Sequence, residues 1–304
     1  MAGLSVPIAV SMLSFGAMTM VDTLLVGRLG AGALAAVGVG GTVALALLAF
    51  STGIFRLLKV QIATELGRGN PRGVANAVGA GLLLAPILGL LTFVVGSVVA
   101  PFLSSLGGGN QAISAYFLVR LATAPVVLFN VVLREARHGQ GDSKTAMRAA
   151  FFANGVNLVA DLFVLFVLGL GVIGAAFATW AAALSEAIYL AGAQRRVGFE
   201  IAPALEKARD LLRIGAPSGM QSFFEMGAAA VLGILISKSG QLEAASHQVT
   251  GQLAQLSITP SLAISEAGSV LAARAVGARQ RRRVRLVGRS ALLLASSWAL
   301  VCLL

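Results

Sequence analysis

Apolar residues run through this chain in blocks too long for soluble helices. Residues 74–119 carry no charged side chain, and 29–55, 162–185 and 244–265 are also free of charge. A hydrocarbon core about 30 Å thick is crossed by ~20 apolar residues in a helix, so the first block alone is enough for two crossings. Strands of a membrane barrel would instead alternate every ~10 residues. The pattern predicts an all-α polytopic membrane protein. Helices are expected near 4–27, 33–56, 74–103, 111–134, 146–168, 173–194, 210–237 and 242–273, with a ninth from about 286.

Charge then orients the helices. Charged residues are 12% of the chain, about half the ~25% usual in soluble domains. The basic residues fall almost entirely on one side of the predicted bundle. They gather around the 2–3 connection (Arg56, Lys59, Arg68, Arg72), the 4–5 connection (Arg134, Arg137, Lys144, Arg148) and the 6–7 connection (Arg195, Arg196, Lys207, Arg209, Arg213). They also gather around the 8–9 connection, from Arg274 to Arg289. The opposite side holds only Arg28 and Lys238. By the positive-inside rule the N-terminus is cytoplasmic, and a multi-pass chain in the cell's inner (plasma) membrane is expected. The net charge of +11 is therefore a topology signal, and no nucleic-acid partner is implied. The run 278–285 reads as a loop held to anionic lipid headgroups.

Few chemical groups remain. The first residues lack the basic stretch of a cleaved signal. Cys302 is the only cysteine, so no intrachain disulfide is possible. His138 is expected in a loop and His247 in a helix, without metal-ligand spacing. No His–Asp pair, phosphate loop or metal motif marks an enzyme, and no cofactor is implied.

Two aspartates stand out because they sit within spans. Placing a carboxylate at bilayer depth costs at least roughly 2.5–3.5 kcal/mol, so such groups face a bundle interior or water and mark ion, proton or substrate paths. Asp22 lies in helix 1 and Asp161 in helix 5. Asn157 and Asp161 are one turn apart and share a face, and Asn154 extends that face. A carboxylate there can carry a proton, or join an amide oxygen and a hydroxyl as an all-oxygen site for a hard cation. Asn154 alone reads as a helix-to-helix hydrogen bond. Arg120, inside helix 4, is expected to neutralise one of the acids Glu186, Glu225 or Glu266.

The sequence also resembles itself at an offset of 210: Pro7 over Pro217, Gly30 over Gly240, Ala35 over Ala245 and Gly67 over Gly277. A six-helix unit followed by a second in the same orientation is a parallel repeat. The expected division is an N-lobe of six helices at 1–196 and a partial C-lobe at 197–304 containing helices 7, 8 and part of 9. A full second unit would end near residue 400. The chain is therefore expected to be a fragment or a shortened form, unable to transport alone.

Seven blocks in order carry a family resemblance: MVDTLLVGRLGAGALAAVG (20–38), ELGRGNPRG (65–73), GQGDSKTAM (139–147), NLVAD (157–161), GLGVIGAAFATWA (169–181), RIGAPSGMQSFFE (213–225) and ASHQVTGQL (245–253). Together they resemble the MATE (multidrug and toxic compound extrusion) family across essentially the whole chain. The resemblance implies two six-helix lobes around a cavity and export of small organic, often cationic, compounds by a monomer in exchange for H⁺ or Na⁺. It implies a coupling site of Asp22, Asn157, Asp161 and Thr179, with Tyr116 beside it. These would be the metal ligands if Na⁺ is the coupling ion. It further implies a bend of helix 1 at Pro7 and cavity positions at Asn130 and Glu225. Two alternatives are a lipid-linked oligosaccharide flippase of the same superfamily and a truncated, non-transporting remnant.

Overall fold

A computed structural model describes residues 1–106, 111–194, 204–239 and 241–303. The expected lobe boundary at 196/197, the loop arginines Arg195 and Arg196, and Gly240 lie outside these. The described residues form helices and no strand.

Helix α1 is Ala2–Gly27. Helix α2 comprises Ala31–Ala35, a wider π-helical turn at Ala36–Gly40, and Gly41–Gly67. Helix α3 is Pro71–Leu106. Helix α4 is a pair, Gln111–Ala122 and Ala124–Gln140, bent by 45°. Pro125 near the start of the second half is tolerated because first-turn amides need no helical partner. Helix α5 is Ser143–Leu162 with a π-helical end at Phe163–Val167. Then follow α6 (Gly171–Gln194), α7 (Ala204–Ser239), α8 (Gln241–Gly277) and α9 (Arg281–Leu303). Seven of these have the length and composition to cross a bilayer, and the bent α4 makes an eighth. Helix α7 is long enough but interrupted by Ser218, Gln221, Ser222 and Glu225.

Local chemistry sets the turns between them. Gly69 has φ 68° and Gly141 φ 85°, a left-handed conformation that glycine adopts without Cβ strain. The Asn70 side chain accepts from Gly73 N at 3.0 Å and donates to Glu65 at 2.8 Å, which folds ELGRGNPRG into the α2–α3 corner. Asp142 caps α5 by accepting from Thr145 N.

The helices run further than the apolar blocks do. Arg56, Lys59, Arg134, Arg137 and His138, expected at loops and helix ends, all lie within helices. Lys59 is only 4% exposed and His138 is also buried. Hydropathy ends where a charge begins, whereas the backbone ladder continues as long as the charges find partners inside.

The main core joins α2, α3 and α4, and it extends to Ala176 of α6 and Ala208 and Leu211 of α7. The two repeats meet in pairs that keep the offset of 210. Gly53 of α2 packs on Gly219 of α7, where an added methyl would come within 2.8 Å of the Gly219 Cα. The equivalent place is Ala263 of α8, which packs near Ala9 of α1. Val60 and Ala63 of α2 pack with Val270 and Ala273 of α8. At the end of this seam, Gly67 and Gly277 cross with backbone against backbone.

Candidate functional site

Helices α1 and α5 bring the two aspartates together. Asn157 Nδ2 donates to Asp161 Oδ2 at 2.6 Å, as their one-turn spacing requires. The Asp22 and Asp161 carboxyl groups lie close enough to act on each other electrostatically. Asp161 is 1% exposed and Asn157 is also buried, whereas Asp22 is half-buried. Asp22 Oδ1 is shielded from solvent and has no hydrogen-bond partner among the described residues. An orphaned carboxylate oxygen beside a second carboxyl group can take up a proton or offer an oxygen ligand to a hard cation.

Helix α4 supplies the surroundings. The buried Tyr116 lies within Coulombic reach of Asp22, Asp161 and Arg120. Its position depends on the π-helical turn of α2, where an added methyl on Gly40 would come within 3.1 Å of Ile113 O and 3.3 Å of Tyr116 Cδ1. The second π-helical turn begins two residues after Asp161. Such turns are frequent at functional sites because they rotate the side chains that follow.

Arg120 corrects an expectation. Glu186 is bonded by Arg134 at 2.7 Å and Glu266 by Lys59, so Arg120 is the partner of neither. It acts electrostatically on Asp22 instead. The reason is that those acids already meet a closer cation: Arg134, in the second half of the bent α4, for Glu186, and Lys59 of α2 for Glu266.

The other predicted positions make contacts of their own. Thr179 on α6 is half-buried, and its hydroxyl donates to Ala175 O of its own helix at 3.0 Å. Its remaining lone pairs can still face an ion. Asn130 is 2% exposed and donates to Ala183 O of α6 at 2.7 Å. In this conformation it ties two helices together and does not line an open cavity. Glu225 is exposed on α7, next to an apolar groove that includes Phe224, Gly227 and Val231. Pro7 is buried within α1, which continues as helix through it, and Ser11 Oγ donates to Pro7 O at 2.8 Å.

Asn154 donates to Ser14 Oγ at 2.6 Å and Ser14 O at 3.2 Å, which ties α5 to α1 above the site. Such membrane bonds average about 0.6 kcal/mol. Asn154→Ala should therefore lower thermal stability only slightly and, in a full-length transporter, leave ion-driven transport within about twofold of the unmutated form, measured in proteoliposomes.

Sequence reasoning did not find the buried charges. Lys59 pairs with Glu135 at 2.8 Å and with Glu266. Arg134, besides holding Glu186, lies 4.7 Å over the Phe15 ring of α1. A glutamate flanked by Arg134 and Arg137 in a basic stretch was the available signal for Glu135, since a loop needs no such acid.

Long apolar helices in repeated order around a carboxyl pair define a polytopic membrane transporter. The chain belongs to the MATE family: the family model MatE matches residues 7–163 and 217–304, two stretches that begin at Pro7 and Pro217. It is 28% identical over 98% of its length to the probable multidrug resistance protein NorM of Idiomarina loihiensis, of which it covers 68%. It is 26% identical over 90% of its length to a probable multidrug resistance protein NorM of Oceanobacillus iheyensis, of which it covers 65%. A solved structure of a multidrug resistance MATE family transporter of the MOP superfamily, in the outward-facing conformation, superposes with TM-score 0.88 at 26% identity. That match covers 99% of this chain and 70% of that one. The chain thus spans about two thirds of the length of these relatives.

Proposed function

We propose that this chain carries the ion-coupling half of an antiporter that exports small organic, often cationic, compounds in exchange for H⁺ or Na⁺. The observation that supports it most is the facing pair Asp22 and Asp161, bridged to Asn157 and left with one orphaned oxygen. A group of this kind has two states. Loaded with an ion it is neutralised; empty, it holds charge at bilayer depth and must be compensated by Arg120 or by water. Helix α1 meets α5 at this pair, so loading changes what holds the two helices together.

For a neutral substrate, one positive charge moving inward across 100 mV releases about 2.3 kcal/mol, which supports a roughly 50-fold substrate gradient. A monovalent cation exchanged one for one moves no net charge, so its export draws on the concentration gradient of the coupling ion or on a second ion. The positive-inside bias assigns the basic connections, and with them the N-terminus, to the cytoplasm of a cell whose inner membrane holds the protein. Ions would then enter the site from outside and leave toward the basic face.

The reading is tested with the complete reading frame expressed in a host stripped of its own efflux pumps. Resistance to amphipathic cations and extrusion of a cationic dye, both collapsing when the H⁺ or Na⁺ gradient is dissipated, are the expected result. Drug sensitivity and dye retention equal to those of the empty host would overturn it.

A further inference from the structure

The seam between α2 and α8 is built from equivalent residues of the two repeats. On α2 the positions 56, 60, 63 and 67 share one helix face, and on α8 the positions 266, 270, 273 and 277 do the same. Val60, Ala63, Val270 and Ala273 form one apolar cluster. Gly67 and Gly277 close it: a methyl on Gly277 would reach 3.1 Å from the Gly67 Cα and would collide with Thr64 O. A methyl on Gly67 would collide with Arg274 O. Small residues four apart on both partners let membrane helices cross closely. This crossing sits at the end of the bundle that bears the basic connections.

The next turn breaks the symmetry. Position 59 is lysine but its counterpart 269 is serine, and position 266 is glutamate but its counterpart 56 is arginine. Lys59 is buried and bonded on two sides. Glu135 of α4 belongs to its own repeat, and Glu266 of α8 belongs to the other. Of the two side chains, Glu266 is the more exposed at 26%, against 13% for Glu135.

We infer that Lys59 is the releasable lock of the gate on the basic face, holding the α2–α8 seam shut through Glu266 while Glu135 stands by as its second partner. The two-acid arrangement explains how a buried cation can let go. A buried ammonium stripped of its only partner is strongly disfavoured. When the seam parts, however, Lys59 keeps Glu135, and the partly exposed Glu266 can be hydrated by water entering the opening. The apolar cluster below has no such directionality, so the seam can close without side-chain rearrangement. The inference rests on the chain being a transporter that opens alternately to the two faces, but its test reads distances and does not require transport.

Spin labels at Arg72→Cys and Arg282→Cys, exposed equivalents on the basic side, in a Cys302→Ser background would report the width of the seam in lipid nanodiscs. The parent should give mainly one short distance. Glu266→Gln should raise the long-distance population at least about fivefold, in keeping with ordinary coupling energies. Glu135→Gln should do the opposite and lower it, because opening would then leave Lys59 without a partner. The double exchange Lys59→Glu/Glu266→Lys should return the distribution toward the parent's. If Glu266→Gln does not fold, Glu266→Asp, with its shorter reach, should show a smaller shift of the same sign. Glu266 and Glu135 variants that move the distribution in the same direction, as a merely structural role predicts, would overturn the inference. So would a Glu266 variant that leaves it unmoved.

Discussion

Asp161→Asn should reduce ion-driven efflux to the level of the empty host while the protein folds and inserts normally. The amide is nearly isosteric and cheaper to bury than a charge, and its oxygen can still accept from Asn157. It can neither accept a proton nor offer negative charge to Na⁺, so the gradient has nothing to act on. Asn157→Ala should slow coupled efflux by roughly tenfold or more, since it removes one bond to a carboxylate and no charge. The measurement is dye efflux from proteoliposomes holding the full-length transporter under an imposed ΔpH or ΔNa⁺, with Asp22→Asn in parallel. Full activity in Asp161→Asn with none in Asp22→Asn would move the coupling carboxylate to α1.

The second large effect concerns stability. Glu186 is 4% exposed and meets Arg134 at 2.7 Å between α6 and α4. Glu186→Ala leaves the guanidinium with the Phe15 ring as its remaining neighbour. Breaking one side of a buried pair costs about 3–5 kcal/mol, which should lower the Tm in detergent by about 10 °C. Replacing both partners, as in Arg134→Met/Glu186→Leu, should restore most of the loss because no buried charge is then orphaned. A single variant as stable as the parent would show that the pair is hydrated and carries little.

These two sites were unequally legible in the sequence. Asn157 and Asp161 are four residues apart on an apolar helix, so their alignment is local and follows from helical geometry alone. Asp22 could be grouped with them only through the family resemblance, because nothing local says that α1 lies beside α5. The pairs Arg134–Glu186 and Lys59–Glu266 join helices distant in sequence, and no periodicity records such a contact. The same gap produced the misplaced helix ends: a lysine 4% exposed looks like a loop lysine until its two acids are found. Arg120 was sent to the wrong acids for this reason. The α2–α8 seam, by contrast, was half visible. The match of Gly67 to Gly277 was found as a mark of duplication, and Ala63 and Ala273 four residues before them would have shown it to be a contact.

Helix α1 also bears on biogenesis. Its middle is tied within the first repeat, through Ser14 to Asn154 and Phe15 to Arg134. Its beginning packs on Ala263 and Ala267 of α8 through Ile8, Leu4, Ala9 and Met12. At ~5–20 residues per second the ribosome needs on the order of tens of seconds to travel from Ile8 to Ala263. For that interval the first turns of α1 lack their apolar partners on α8. A nascent chain arrested before α8 should therefore display this segment to labelling reagents dissolved in the bilayer, and release of the arrest should hide it.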